Sequence, residues 1–444
     1  MGGTMRFYST ERKSPSVSFR DALFNGLAPD GGLYMPETIP RLTDEFLANL
    51  SKQSLHSAGN QVASAFIDDI PTREIVEIVP RALNFPCPLV PLEEGLCLLE
   101  LFHGPTFAFK DFGARFMAEA FSYFLRNEQR ELTIIVATSG DTGSAVAHGF
   151  YNHPHIKVFV LYPSGKISPL QEKQIATLGG NITAVEVGGT FDDCQRLAKQ
   201  ALSDPELRKN RAVSSANSIN VGRLLPQIFY YVAGVGAWQA QAGRTRKPLW
   251  VVVPSGNFGN LTAGLFAKWL GLPIERFVAA TNVNDVVPQY FKTGTFTPRP
   301  AIPTVSNAMD VGNPSNLARM RALYGEDLAK LKLDVEAASV NDQETLEELK
   351  RTYEKTGYTL DPHTAVGVAA ARRVRSAMRG TPPDFLILAT AHPAKFGEII
   401  ETMIGERVRI PKVLEEVIEK RKRFVKIKGN YMTLREVLAT HPLR

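Results

Sequence analysis

From about residue 96 onward the chain repeats one pattern, in which a short β-branched or apolar run ends in Gly, Ser, Thr or Asn and gives way to a helical periodicity. Repetition of that kind predicts βα units and a parallel sheet. The plainest strands are Leu132 to Thr138, Lys157 to Tyr162, Leu249 to Pro254 and Phe385 to Thr390. Each is a continuous apolar run rather than an alternating one, so helices are expected on both faces of the sheet. The preceding residues read differently: helical segments around Asp44 to Leu55 and Gln61 to Ile67 are separated by Gly and Pro turns. A chain of 444 residues exceeds the usual limit for one hydrophobic core. The expected division is a mainly helical N-terminal domain over 1–95, a small α/β domain over 116–215, and a large domain made of 96–115 and 216–444.

Composition narrows the class. Hydrophobic residues at 44% and charged residues at 22% suit an ordinary globular protein without long disorder. A net charge of +6, from 51 basic and 45 acidic residues, favours anionic small molecules and argues little for nucleic acid. Cys87, Cys97 and Cys194 form no CxxC pair or zinc spacing, which predicts a reducing compartment and no metal. No apolar h-region follows the first basic residues, and no run approaches the ~20 apolar residues of a membrane span, so a cytoplasmic protein is predicted. Met1-Gly2 does not begin a myristoylation signal, because Arg6 stands where Ser or Thr is needed. The basic run Lys420-Arg421-Lys422-Arg423, with Lys426 and Lys428, follows Glu415, Glu416 and Glu419. It is read as the solvated face of one helix with i,i+4 pairs.

Five segments carry chemistry. In Leu99 to Gly113 a single lysine, Lys110, lies among aromatic and small residues. Burial lowers an amine's pKa and frees its nucleophilic form for Schiff-base chemistry; a lysine snorkelling from a helix start to pair with Asp111 is the alternative. Thr138-Ser139-Gly140-Asp141-Thr142-Gly143-Ser144 follows a strand and opens a helix, forming either an anion site suited to a carboxylate or a simple N-cap at Asp141 or Thr142. Ser255-Gly256-Asn257-Phe258-Gly259-Asn260 ends another strand, and its glycines allow close approach to a phosphate. Without GxGxxG or a Walker lysine, one phosphate fits better than a dinucleotide, while an ordinary βα turn stays open. Ser214 to Arg223 crowds amides and hydroxyls ahead of one arginine, as a second phosphate or carboxylate receptor or as a self-satisfied loop. Thr390 closes the last strand, where its hydroxyl can reach a ring nitrogen.

Taken in order, these segments resemble the threonine synthase family of fold-type II (tryptophan synthase β-like) pyridoxal-phosphate enzymes over nearly the whole chain. Val17-Ser18-Phe19 and Gly31-Gly32-Leu33-Tyr34-Met35-Pro36 are similar to the N-terminal domain of its bacterial and fungal branch. The resemblance implies that Lys110 carries pyridoxal 5′-phosphate and that Ser255, Gly256, Asn257, Phe258, Gly259 and Asn260 hold its phosphate. It places Asp141 near the cofactor's 3′-oxygen and Thr390 against the pyridine nitrogen, with His363 near the ring or simply packed. Ser139 and Thr142 are implied for the substrate carboxylate, and Asn217, Ser218 and Arg223, with Asn257 beside them, for the substrate phosphate. The implied reaction turns O-phospho-L-homoserine and water into L-threonine and phosphate, in a monomer or homodimer with no nucleic-acid or membrane partner. The competing expectations are a phospholyase releasing 2-oxobutanoate, an amino-acid dehydratase, and a non-catalytic sensor of a phosphorylated metabolite.

Overall fold

The computed structural model describes residues 4–126, 128, 131–210, 212–242 and 247–440. In chain order the strands are β1 (Phe7–Ser9), β2 (Tyr34–Pro36), β3 (Leu89–Glu93), β4 (Leu96–Glu100), β5 (Leu132–Ala137), β6 (Ile156–Pro163) and β7 (Ile182–Gly188). They continue as β8 (Ala212–Ser214), β9 (Leu249–Pro254), β10 (Arg276–Thr281), β11 (Val335–Ser339), β12 (Asp384–Ala389) and β13 (Val425–Lys428). Six form a sheet in the order β11-β10-β9-β12-β4-β3, and five form a second in the order β13-β7-β6-β5-β8. All pairings in these two sheets are parallel except β3 with β4.

Both faces of each sheet are covered, as continuous apolar strands require. Every residue of β5 and of β9 is buried. Along β9, Val251 and Val253 enter one apolar cluster while Trp250 and Val252 enter another; along β5, Ile134 and Val136 face the first cluster and Ile135 and Ala137 a third. The first cluster is therefore shared by the inner faces of both sheets and by the N-terminal helices, which contribute Phe19, Leu23, Val62, Phe66 and Ile78. Because strands run in parallel, their carboxyl ends converge on one side, where ligands bind in folds of this kind.

The N-terminal segment is mostly helical, as expected, and also carries the antiparallel pair β1-β2. The helix expected over Asp44 to Leu55 is broken into Asp44–Ala48 and a 3-10 turn at Leu50–Lys52, and the next helix, Leu55–Phe66, starts under a Ser54 cap. Two strands cross the expected domain bounds. The larger sheet takes β3 from before residue 96, through a tight turn in which Gly95 adopts a φ of 71°. The smaller sheet takes β13 from the segment assigned to the large domain. The basic run does not lie on a helix with its glutamates either. That helix, Lys412–Glu419, ends before it, and Val425 to Lys428 alternate in strand fashion with Ile427 buried and Lys426 outward. Lys422 pairs with Glu172 at 2.7 Å and Lys426 with Glu186 at 3.2 Å, across the fold rather than along a helix. Among the described residues no helix is long and apolar enough to cross a membrane, and no three His, Cys, Asp or Glu side chains gather as a metal site.

Candidate active site

Lys110 is the first residue of the helix Lys110–Leu125, reached from β4 through a loop that is tied down along its length. Phe109 N–H donates to the Thr390 carbonyl at 3.0 Å, and His392 N–H to the Phe107 carbonyl at 3.1 Å, so the loop is laced to the end of β12. Asp111 turns back into the loop: its carboxylate accepts from Thr106 N–H at 2.8 Å and from the Thr106 hydroxyl at 2.6 Å. The alternative in which Lys110 pairs with Asp111 is not realised. Lys110 Nζ has no hydrogen-bond partner among the described residues. Burial draws its pKa down to about 8; Asp141 opposes that shift, and the charges of Lys395 and Arg223 reinforce it.

Asp141 opens the helix Asp141–Gly149 and is buried. The helix's first turn is tied instead by Thr138, whose hydroxyl oxygen accepts from Gly143 N–H at 2.8 Å and from Gly140 N–H at 2.9 Å. That arrangement leaves the hydroxyls of Ser139 and Thr142 without protein partners among the described residues, and leaves Asp141 for another purpose. Asp141 Oδ1 accepts from Gln171 Nε2 at 2.9 Å and from Lys395 Nζ at 2.5 Å. Burial alone would raise this carboxyl, but Lys395 and Lys110 overcome it and hold Asp141 well below the usual carboxylate range.

At the end of β9, Ser255 is committed within the fold: its N–H donates to the Ala280 carbonyl and its hydroxyl to the Val253 carbonyl, both at 2.8 Å. The backbone N–H groups from Gly256 to Asn260 have no protein acceptor among the described residues. Phe258 takes a left-handed φ of 59° just before the helix Gly259–Trp269, which turns this run toward the helix N-terminus. Two buried amide donors lie beside it without partners among the described residues, Nδ2 of Asn260 and Nδ2 of Asn316. Asn260 Oδ1 is occupied by the hydroxyls of Tyr230 and Tyr231 at 2.7 and 2.8 Å. Unclaimed N–H groups at a helix start, joined by donors that burial would otherwise penalise, fit a bound phosphate group.

The predicted substrate-phosphate residues separate. Asn217 continues the β5–β8 ladder with its side chain, donating to the Ala137 carbonyl at 2.8 Å and accepting from Ala137 N–H at 3.3 Å, so its amide is engaged. Ser218 accepts from Asn257 Nδ2 at 2.6 Å, which joins this stretch to the β9 loop. Arg223 is buried, donates from Nη1 to the Ala216 carbonyl, leaves Nε unpartnered, and has no carboxylate at ion-pair distance among the described residues. Burial pulls its pKa to about 10, with Asp111 opposing. Thr390 offers a hydroxyl with no protein partner among the described residues beside Lys110's loop, and its N–H donates to the Thr364 hydroxyl at 3.3 Å. His363 is a packed residue: it shares its Nδ1 proton with Asp361 at 2.8 Å and accepts Ala308 N–H at Nε2 at 3.1 Å.

Three residues were not singled out in the sequence. Lys395 is buried and bound to Asp141 and to the Thr106 carbonyl. Arg319, fully buried, donates to the carbonyls of Tyr34, Ser218 and Ile219 and to Asn316 Oδ1. Asn316 follows from Arg319. For Lys395 a signal existed, since it stands alone between Pro393 and Phe396 much as Lys110 stands among aromatics; Arg319 and Asn316 occupy an unremarkable helix start.

A half-buried amine with a lowered pKa and a phosphate cradle, both at the carboxyl ends of parallel strands, define a pyridoxal-phosphate enzyme of fold type II. The comparisons agree: a family model for pyridoxal-phosphate dependent enzymes matches residues 83–390, and models for the threonine synthase N terminus and C-terminal region match 6–83 and 364–438. Threonine synthase of Escherichia coli K12 is 44% identical over 439 residues, covering 98% of this chain and 100% of the relative, and that of Saccharomyces cerevisiae is 37% identical over 90% of this chain and 89% of its own. The crystal structure of the Escherichia coli enzyme superposes with a TM-score of 0.89 at 42% identity, covering 99% of this chain and 100% of its own. A PLP-bound threonine synthase from Brucella melitensis gives 0.90 at 33% identity, with 99% of each chain covered. The chain belongs to the threonine synthase family, and it is a pyridoxal-phosphate-dependent lyase with a small-molecule substrate.

Proposed function

We propose that the chain converts O-phospho-L-homoserine and water to L-threonine and phosphate, with Lys110 as the residue that carries the cofactor. The observation behind this reading is Arg223, a buried guanidinium with no carboxylate at ion-pair distance among the described residues. A buried cation is costly unless paired, so the site calls for an anion from solution, and a substrate phosphate supplies it. An unphosphorylated amino acid leaves Arg223 without a counterion.

When bound, pyridoxal phosphate supplies the electron sink that lets protons leave the substrate's Cα and Cβ before phosphate departs from Cγ. The backbone N–H groups of Gly256 to Asn260 would hold its phosphate, aided by the helix they begin. Lys110, whose pKa burial brings down to about 8 so that its uncharged form is within reach near neutrality, accepts and returns protons at the substrate's Cα and Cβ. The free hydroxyls of Ser139 and Thr142 orient the substrate carboxylate, because Thr138 has taken over the helix cap. Arg223 and Ser218 bind the substrate phosphate and stabilise the charge that grows as it leaves. Thr390 would face the ring nitrogen with a neutral hydroxyl, which would not hold a proton there as a carboxylate does.

Incubating the purified holoenzyme with O-phosphohomoserine tests the reading. Threonine and phosphate should appear in equal amounts, and both should vanish in Lys110→Ala. Release of 2-oxobutanoate in place of threonine would convert the assignment to a phospholyase, and absence of phosphate release would end it.

A further inference from the structure

An aspartate is a poor neighbour for the oxygen of an aromatic cofactor, since that oxygen itself carries negative charge. Asp141 stands at the position implied for this contact, in an environment that keeps it ionised, and its geometry shows how the conflict is resolved. Lys395 lies in the short turn Pro393–Phe396 that follows β12, a turn capped by His392, whose Nδ1 accepts from Ala394 N–H at 3.1 Å. Its side chain is wholly buried, with 0% exposure, a state lysine almost never adopts unpaired. Nζ donates to Asp141 Oδ1 and, at 3.1 Å, to the Thr106 carbonyl. An ammonium has three N–H groups, so one is left over. The carboxylate is fixed from the other side by Gln171, and Gly140 makes room for that contact: a Cβ there would stand 2.5 Å from the Gln171 amide.

We propose that Lys395 is a positioning residue for the cofactor: its ammonium locks Asp141 in place and supplies the positive charge facing the 3′-oxygen of the group carried by Lys110. The proposal rests on the reading that Lys110 carries the cofactor. It explains why an aspartate is tolerated at that position, since the pair presents a cationic donor where a lone carboxylate would repel. The other charged or titratable groups facing this pair are Lys110 and Asp111 from the helix Lys110–Leu125, His148 from the Asp141 helix, His363 from the helix Pro362–Ala377 and His392 after β12, with Arg223 acting on Lys110 and Asp111 from the helix Val221–Leu224. Burial drives both His148 and His392 down to about 4, so neither supplies a compensating charge at neutral pH.

The proton shared between Lys110 and the cofactor is the reporter, read as the pH midpoint of the long-wavelength absorbance band of the holoenzyme. A cation nearby loosens that proton and an anion tightens it. Lys395→Met should therefore raise the midpoint by at least about one pH unit, a tenfold gain in proton affinity. Lys395→Gln, which keeps a donor for the Thr106 carbonyl and guards against misfolding, should raise it too, whereas Lys395→Arg should stay close to the parent and Asp141→Asn should move the other way. A residue with a purely structural role would change thermal stability without moving the midpoint. Unchanged midpoints in both Lys395→Met and Lys395→Gln overturn the proposal, as does a downward shift in either. Failure of the underlying reading looks different, because the unmodified protein would then show a pyridoxyl adduct at a residue other than Lys110 after borohydride reduction.

Discussion

Arg319 Nη1 donates to Asn316 Oδ1 at 2.7 Å, and the direction of that bond fixes the amide's orientation. A guanidinium has donors only, so it must face the amide oxygen. Asn316 Nδ2 is thereby turned away, toward Gly259 at the start of the helix Gly259–Trp269, where a Cβ would lie 3.3 Å from it. Asn316→Asp separates stability from binding. The new carboxylate gives buried Arg319 an anionic partner, so the apo-protein should melt no lower than the parent. Its second oxygen replaces a donor beside the phosphate, so pyridoxal phosphate should bind at least about tenfold more weakly, a loss of about 1.4 kcal/mol. Calorimetry on the apo-protein and a cofactor titration check both halves.

Gly113 bears on Arg223 rather than on the cofactor. A Cβ there would stand 2.7 Å from the Arg223 carbonyl oxygen and 3.0 Å from its Nε, and a backbone oxygen cannot simply swing aside. Gly113→Ala should displace the guanidinium while leaving the Lys110 absorbance band intact. Steady-state kinetics should show KM for the phosphorylated substrate rising by about tenfold or more, consistent with loss of a charge-assisted contact.

The Lys110 amine sets the pH course of cofactor uptake. Only the uncharged amine attacks the aldehyde, and burial brings its pKa to about 8 from the 10.5 of an ordinary lysine. The rate at which apo-protein regains its visible band should rise with pH and level off just above 8. A plateau two units higher would show that the amine is not desolvated.

Asp111 holds the loop that aims Lys110. Asp111→Ala removes the acceptors of both Thr106 groups inside a buried loop, and each orphaned donor costs about 1–3 kcal/mol. Chemical denaturation should report a loss in that range or above, together with incomplete cofactor occupancy.

Much of this architecture was visible in the residues because it depends on local pattern. Continuous apolar runs such as Leu249 to Pro254 announce strands covered on both faces, and the glycines and small polar residues that follow announce loops open to anions. The enclosed setting of Lys110 was legible for the same reason, as a lone cation in aromatic company. What escaped depends on partners far apart in sequence. Asn217 reads like a ligand-binding amide, yet it is engaged by the backbone of Ala137, 80 residues away. Arg319 reaches Ser218 across 101 residues and Tyr34 across 285, so no window of sequence could reveal that it is buried. Ser255, embedded in a glycine-bearing loop, looks like a phosphate contact, but its two polar groups close off the ends of β9 and β10 instead. The basic run after Glu419 misled for a related reason: the alternation of Val425 and Ile427 with lysines is a strand signal four residues long, easily absorbed into a preceding helix.

The placement of β13 bears on how the molecule is made. It pairs with β7 across some 240 positions, and Ile427, Leu434, Val437 and Leu438 complete an apolar cluster otherwise built from residues 135–213. During synthesis the smaller sheet emerges from the ribosome long before its edge partner does, leaving β7 with open backbone groups and a greasy flank. For that interval the nascent protein is a natural client for chaperones, and slowing translation beyond β7 should raise its tendency to aggregate.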